Sequence, residues 1–270
     1  MRAVAIVLGW SILVSASQVP ATPPAADVDQ VVTRFFETAD QYHRTFRNLT
    51  AEETRLNEVF HPDGRLRRKR EITADLLVYV SPRAPDDAVE YRDVKSVDGK
   101  AIENRDRRVL DLVRRAANTG SAERELGLIN RESQRYDFNV HVGGFTIFQF
   151  FNRAMRNDFQ FDWAGRDEVD GHDTLVVTYR QIVPQPEYSG ATRTYRGMGV
   201  TAFFARGRLW LDAGTLQLRR HRMEVAGVHP GLPEPALLMS TDHAYTDSRF
   251  GILVPSRIVF EWRESRSKSK

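Results

Sequence analysis

The sequence predicts an α+β fold that is mostly β: an antiparallel sheet or barrel accompanied by a few amphipathic helices. Three observations lead there. Apolar residues alternate with polar ones through residues 53–97 and again through 158–262, with tight-turn dipeptides between the runs. One long stripe of helical period precedes them, over about 27–47. Shorter helical stretches fall between the two β-rich regions, over about 103–156.

In the first helix Val28, Val31, Val32, Phe35, Ala39, Tyr42 and Phe46 recur at helical spacing, and Asp27 is the expected cap. Strands follow from Glu53 to Phe60 and from Leu66 to Val80, joined by a turn at His61–Gly64. Ile72, Ala74, Leu76, Val78 and Val80 fall on one face of the second. A third strand, from about Val89 to Val97, ends at the turn Asp98-Gly99. Two helices are expected next, Glu103–Asn118 ended by Gly120 and Ser121–Tyr136 capped by Ser121. A short aromatic helix after Gly143-Gly144 carries Phe145, Phe148, Phe151 and Met155 on one side, so something must cover it.

The remainder reads as strands: Asp158 to Trp163, Asp173 to Val183 after the turn Asp170-Gly171, Thr192 to Phe204, Arg208 to Asp212, Leu216 to Val225, Ala236 to Thr246 and Val254 to Trp262. The tail from 264 to 270 is polar. Without a long linker or an internal repeat, residues 27–263 are expected to form a single domain.

Composition narrows the function classes. Arg2, the apolar run Ala3–Val14 and the small residues Ser15-Ala16-Ser17 follow the order of an export signal, so 1–17 is expected to be cleaved and 18–26, rich in Pro and Ala, to be a flexible leader. The apolar run is short for a bilayer span, and no later segment offers one, so no stable transmembrane segment is expected after cleavage. That places the protein in the periplasm or outside the cell. There is no cysteine, which rules out disulfides, thiolate catalysis and cysteine metal sites. The formal charge of +3 falls to +2 once Arg2 is lost, and acids and bases alternate along the chain, so nucleic acid is not an expected partner.

No reaction is legible. The seven histidines form no metal-ligand pattern, and no HExxH, GxSxG or phosphate-cradling glycine loop occurs. The acidic loop Asp167–Asp173 lacks the spacing of a calcium loop. No cofactor is called for, and the expected protein is not an enzyme.

Three segments resemble LolA-like envelope proteins. They are Gly165-Arg166-Asp167-Glu168-Val169-Asp170-Gly171 with its following apolar strand, Gly207-Arg208-Leu209-Trp210-Leu211-Asp212 with the returning Leu216-Gln217-Leu218-Arg219-Arg220, and Phe250-Gly251-Ile252-Leu253-Val254-Pro255. The resemblance covers about the last half of the chain, and the helical insert at about 103–156 departs from the carrier. It implies a curved antiparallel sheet forming an unclosed half-barrel, with helices covering its concave side and an apolar cavity between them. It also implies a periplasmic binding role toward an acyl chain, a lipid or a lipidated protein; the other reading is an envelope protein-interaction or sensory module. The residues expected to line the cavity are Phe159, Phe161, Trp163, Leu175, Val177, Tyr179, Phe260 and Trp262, with Phe148 and Phe151 on the lid.

Overall fold

The computed structural model describes residues 25–46, 50–61, 63–137, 151, 153–183, 202–228, 235–249, 251 and 253–262. The expected export signal, the part of the aromatic helix up to residue 150 including Phe148, residues 192–201 and the polar tail lie outside these residues. Among them the class is as expected: α+β, mostly β, antiparallel throughout and without a closed barrel. The strands are divided between two open sheets, a division that strand spacing alone does not encode.

The first sheet has the order β1-β2-β3-β4, from β1 (Thr50–Phe60), β2 (Leu66–Ser81), β3 (Ala84–Val97) and β4 (Lys100–Ala101). β3 and β4 are joined at Asp98-Gly99, where φ is 51° and 75°. That pair of left-handed residues is what a two-residue turn between twisted strands needs. Helices α2 (Arg105–Ala117) and α3 (Ala122–Ser133) pack on one face of this sheet, and Leu112, Ala116 and Ile129 close over Tyr91. Ser121 caps α3 as expected, its side chain accepting from the Arg124 N–H. Gly120, at φ 76°, makes the break before it. Ile72, Ala74 and Val94 form a separate small cluster with Tyr136.

The second sheet has the order β10-β9-β8-β7-β6-β5. Its strands are β5 (Phe159–Val169), β6 (His172–Gln181), β7 (Ala202–Asp212), β8 (Leu218–Val228), β9 (Ala236–Asp247) and β10 (Leu253–Trp262). The expected break between Phe204 and Arg208 is absent: both fall within β7, because Ala205, Arg206 and Gly207 continue the ladder to Val225, Glu224 and Met223. A six-residue 3-10 helix, Arg153–Asp158, leads into β5.

Helix α1 (Ala25–Phe46) covers the second sheet. It begins two residues before Asp27, so Asp27 lies within the first turn and is not the cap. Its stripe Val28, Val32, Phe35, Phe36 and Ala39 is buried against Phe159, Val177, Tyr179 and Leu209, forming the main apolar core. No helix among the described residues is long and apolar enough to cross a membrane.

Candidate functional site

Register aligns two rows of side chains on the α1-facing side of the second sheet. One crosses all six strands as Phe161, Tyr179, Gly207, Met223, Thr241 and Phe260. The next runs Trp163, Val177, Leu209, His221, His243 and Ile258. Cross-strand partners share a face, so these rows form the floor beneath α1.

At the β5 end the floor is an aromatic wall. Phe151 stands edge-on to Phe35 of α1 at 5.5 Å and to Tyr179 at 5.3 Å, and Phe36 of α1 stands edge-on to Phe161 at 6.0 Å. These are the perpendicular geometries that aromatic quadrupoles favour.

Toward β9 the floor turns polar. Tyr179, His221, His243 and Tyr245 stack as a row, with ring centroids 5.8, 5.9 and 6.4 Å apart and planes within 24°. The Tyr179 hydroxyl and His221 Nε2 are hydrogen-bonded at 2.7 Å. Tyr179 reaches across β7 because Gly207 stands in its path without a side chain: a Cβ there would sit 2.7 Å from Tyr179 Cζ and 2.1 Å from the Arg222 carbonyl oxygen.

Both histidines are enclosed, His221 at 0% and His243 at 1% exposure. Burial, with His243 beside it, drives the His221 imidazole well below its ordinary range. Burial lowers His243 to about 4, although Asp242 and Glu90 pull the other way. Both rings are therefore neutral at pH 7. A neutral imidazole has one donor and one acceptor nitrogen. His221 Nδ1, both nitrogens of His243 and Thr241 Oγ1 nevertheless have no hydrogen-bond partner among the described residues. Each such buried atom costs about 1–3 kcal/mol unless something satisfies it.

The first sheet brings charge to the same place. Glu90 of β3, itself 1% exposed, acts electrostatically on both His243 and Tyr245. Arg92 holds it at 2.8 Å and binds Glu53 on its other side. Burial opposes the Arg92 charge, but Glu90 and Glu53 outweigh it and raise the guanidinium above its ordinary value. Arg55 and Asp137 pair at 2.9 Å nearby.

The residues expected from sequence are distributed as follows. Phe151, Phe159, Leu175, Val177 and Tyr179 are buried together in the main core under α1. Phe161 and Trp163 are half-buried at its edge. Phe260 is half-buried beside Thr241 on the same face. Trp262 takes its place in β10 opposite Met239, its side chain outside the described part, as is all of Phe148. The interior beneath α1 is thus packed by the helix itself.

His221, His243 and Glu90 were not among the expected site residues. Strand alternation offered a signal, since His221, Met223 and Val225 share one side of β8 and Thr241, His243 and Tyr245 one side of β9. No group of three or more His, Asp or Glu that could hold a metal occurs among the described residues. A separate groove of about 640 Å³ lies outside α2 and α3, lined by Arg107, Arg108, Arg115, Arg135 and Tyr136 among others. Its arginines are partly spoken for: Arg108 binds Asp93, and Arg115 and Arg135 both bind Glu132.

No protein-family model matches the sequence. No curated protein matches it. Among solved structures, the chain resembles a domain assigned as an outer membrane lipoprotein-sorting protein, from Vibrio parahaemolyticus. The match covers 83% of this chain and 91% of that one, at 11% identity and a TM-score of 0.29. A likeness at that level establishes neither a shared fold nor a shared role.

Proposed function

We propose that this protein is a non-catalytic binding protein of the bacterial periplasm whose ligand is an amphiphile with an acyl chain, such as a lipid or a lipidated polypeptide. The ligand's hydrocarbon replaces the apolar face of α1 over the aromatic wall, and its polar head meets the histidine pair. The observation that carries this reading is the set of orphaned atoms beside that wall: His221 Nδ1, His243 Nδ1 and Nε2, and Thr241 Oγ1. Buried polar atoms in proteins are almost always satisfied. Neutral imidazoles next to a hydroxyl provide both donors and acceptors, which suits an amide, ester or carboxylic acid head.

Magnitudes permit the exchange. Lifting Val28, Val32, Phe35 and Phe36 off the sheet forfeits about 2 kcal/mol each, roughly 8 kcal/mol in all. An acyl chain of about fourteen methylenes at about 0.8 kcal/mol each supplies roughly 11 kcal/mol. Short chains fall below that threshold. The well-packed interior also supports a second reading, a surface-acting envelope interaction module in which α1 never leaves.

Native mass spectrometry of the protein purified from a bacterial periplasm separates the two. A lipid mass removable by organic solvent, restored by long but not short acyl chains and lost in Phe161→Asp, supports the binding reading. A clean apo mass that persists with acyl chains and lipopeptides overturns it in favour of the surface module.

A further inference from the structure

The β1–β2 hairpin ends in a surface that the other described residues leave uncovered. Phe60 and Leu66 face each other across its tip at 55% and 50% exposure, and Leu56, four residues earlier on the same face, is 53% exposed. Among the described residues β1 is an edge strand, and α2 and α3 pack on β2 and β3. The same tip is basic: residues 60–70 hold Arg65, Arg67, Arg68, Lys69 and Arg70 against the single acid Asp63, a net of +4. Arg65, Arg67, Arg68 and Lys69 are exposed.

Apolar side chains at the end of a hairpin and cations beside them make opposing demands on a partner. The first require hydrocarbon and the second require anions, within one turn of chain. A bilayer with anionic headgroups provides both, one just below the other, and long Arg and Lys side chains can reach back to the headgroups.

We propose that this hairpin tip docks the protein on an anionic phospholipid surface, with Phe60 and Leu66 entering the acyl boundary and Arg67 and Lys69 meeting the headgroups. This goes beyond the interior-ligand reading and does not depend on it.

The test is co-sedimentation of the full chain with phosphatidylcholine vesicles, with and without phosphatidylglycerol, in low and high salt. The protein is expected to bind the phosphatidylglycerol vesicles and to be released by salt. Arg67→Ser with Lys69→Ser should weaken binding about fivefold per charge, roughly 25-fold together. Phe60→Ser with Leu66→Ser should weaken it at least tenfold. Circular dichroism confirms that both variants fold, since all four side chains are exposed. Phe60→Trp should shift its emission to the blue on phosphatidylglycerol vesicles alone. Equal affinity for both vesicle types, no binding to either, or binding indifferent to Phe60→Ser with Leu66→Ser overturns the proposal. No binding to either vesicle type would leave an acidic protein as the occupant.

Discussion

Tyr179 and His221 are joined at 2.7 Å across an intervening strand, and Gly207 is the residue that lets them meet. Gly207 has no positive φ to explain it; the requirement is space. Gly207→Ala should therefore lower stability by about 3 kcal/mol or more, because a backbone carbonyl at 2.1 Å cannot yield as a side chain can. Tyr179→Phe removes only the hydroxyl and leaves His221 Nε2 unsatisfied, an expected loss of about 1–3 kcal/mol. Urea denaturation measures both, and a Gly207→Ala loss smaller than that of Tyr179→Phe would contradict the packing described.

The buried histidines make stability depend on acid. His243 titrates near 4 when folded and at 6.5 when unfolded, and His221 is lowered in the same direction. Between those values the unfolded chain takes up protons that the folded chain refuses. The contribution is complete above about pH 6.5 and is lost as pH falls toward 4. For His243 alone it amounts to about 3 kcal/mol. Asp137 works in the opposite sense, since burial raises its carboxyl despite Arg55 and Arg92. Denaturation midpoints should fall from pH 7 to pH 4, and His243→Leu should flatten that slope.

Trp210 lies on the other face of the same sheet, between Arg220 at 5.0 Å and Arg208 at 5.5 Å, and its indole N–H donates to Asp167 at 3.0 Å. It is 5% exposed and stands opposite Val176, which it helps to cover. Trp210→Ala should cost about 3–5 kcal/mol, and Asp167→Asn much less because the amide oxygen still accepts the indole hydrogen. Thermal unfolding of the two variants gives the comparison.

What the sequence disclosed follows from which signals are local. Asp98-Gly99 and Asp170-Gly171 both adopt positive φ in two-residue turns, because Asp and Gly tolerate that conformation wherever they occur. The α1 stripe and the alternation of Phe159, Phe161 and Trp163 are equally local and equally well matched. The division into two sheets is not local, since it depends on which strand finds which neighbour. The histidine pair was concealed for the same reason. His221 and His243 become neighbours through the β8–β9 register, which a bulge at Val225/Ala226 resets. Thr241, His243 and Tyr245 carry polar atoms at alternate positions, a pattern that does not by itself separate a buried face from a solvated one. Gly207 carried no turn signal, and its role is visible only once Tyr179 lies across it.

The link between the two sheets is open to a sharper test through Glu90 and Arg92. Arg92 binds both Glu90 and Glu53 with its side chain 2% exposed, so removing it alone takes a buried cation away from two carboxylates. Arg92→Met should cost about 3–5 kcal/mol, the usual result of breaking a buried pair from one side. Adding Glu53→Gln and Glu90→Gln should return most of that loss, because no buried charge is then left uncompensated. Glu90→Gln has a second readout. The Glu90 carboxylate supports the protonated form of His243, so its removal should lower the His243 pKa further. NMR titration of the His243 imidazole Cε1 proton follows the change. An unmoved His243 would mean that the first sheet does not approach the polar end of the floor, and that the histidine pair is set by the second sheet alone.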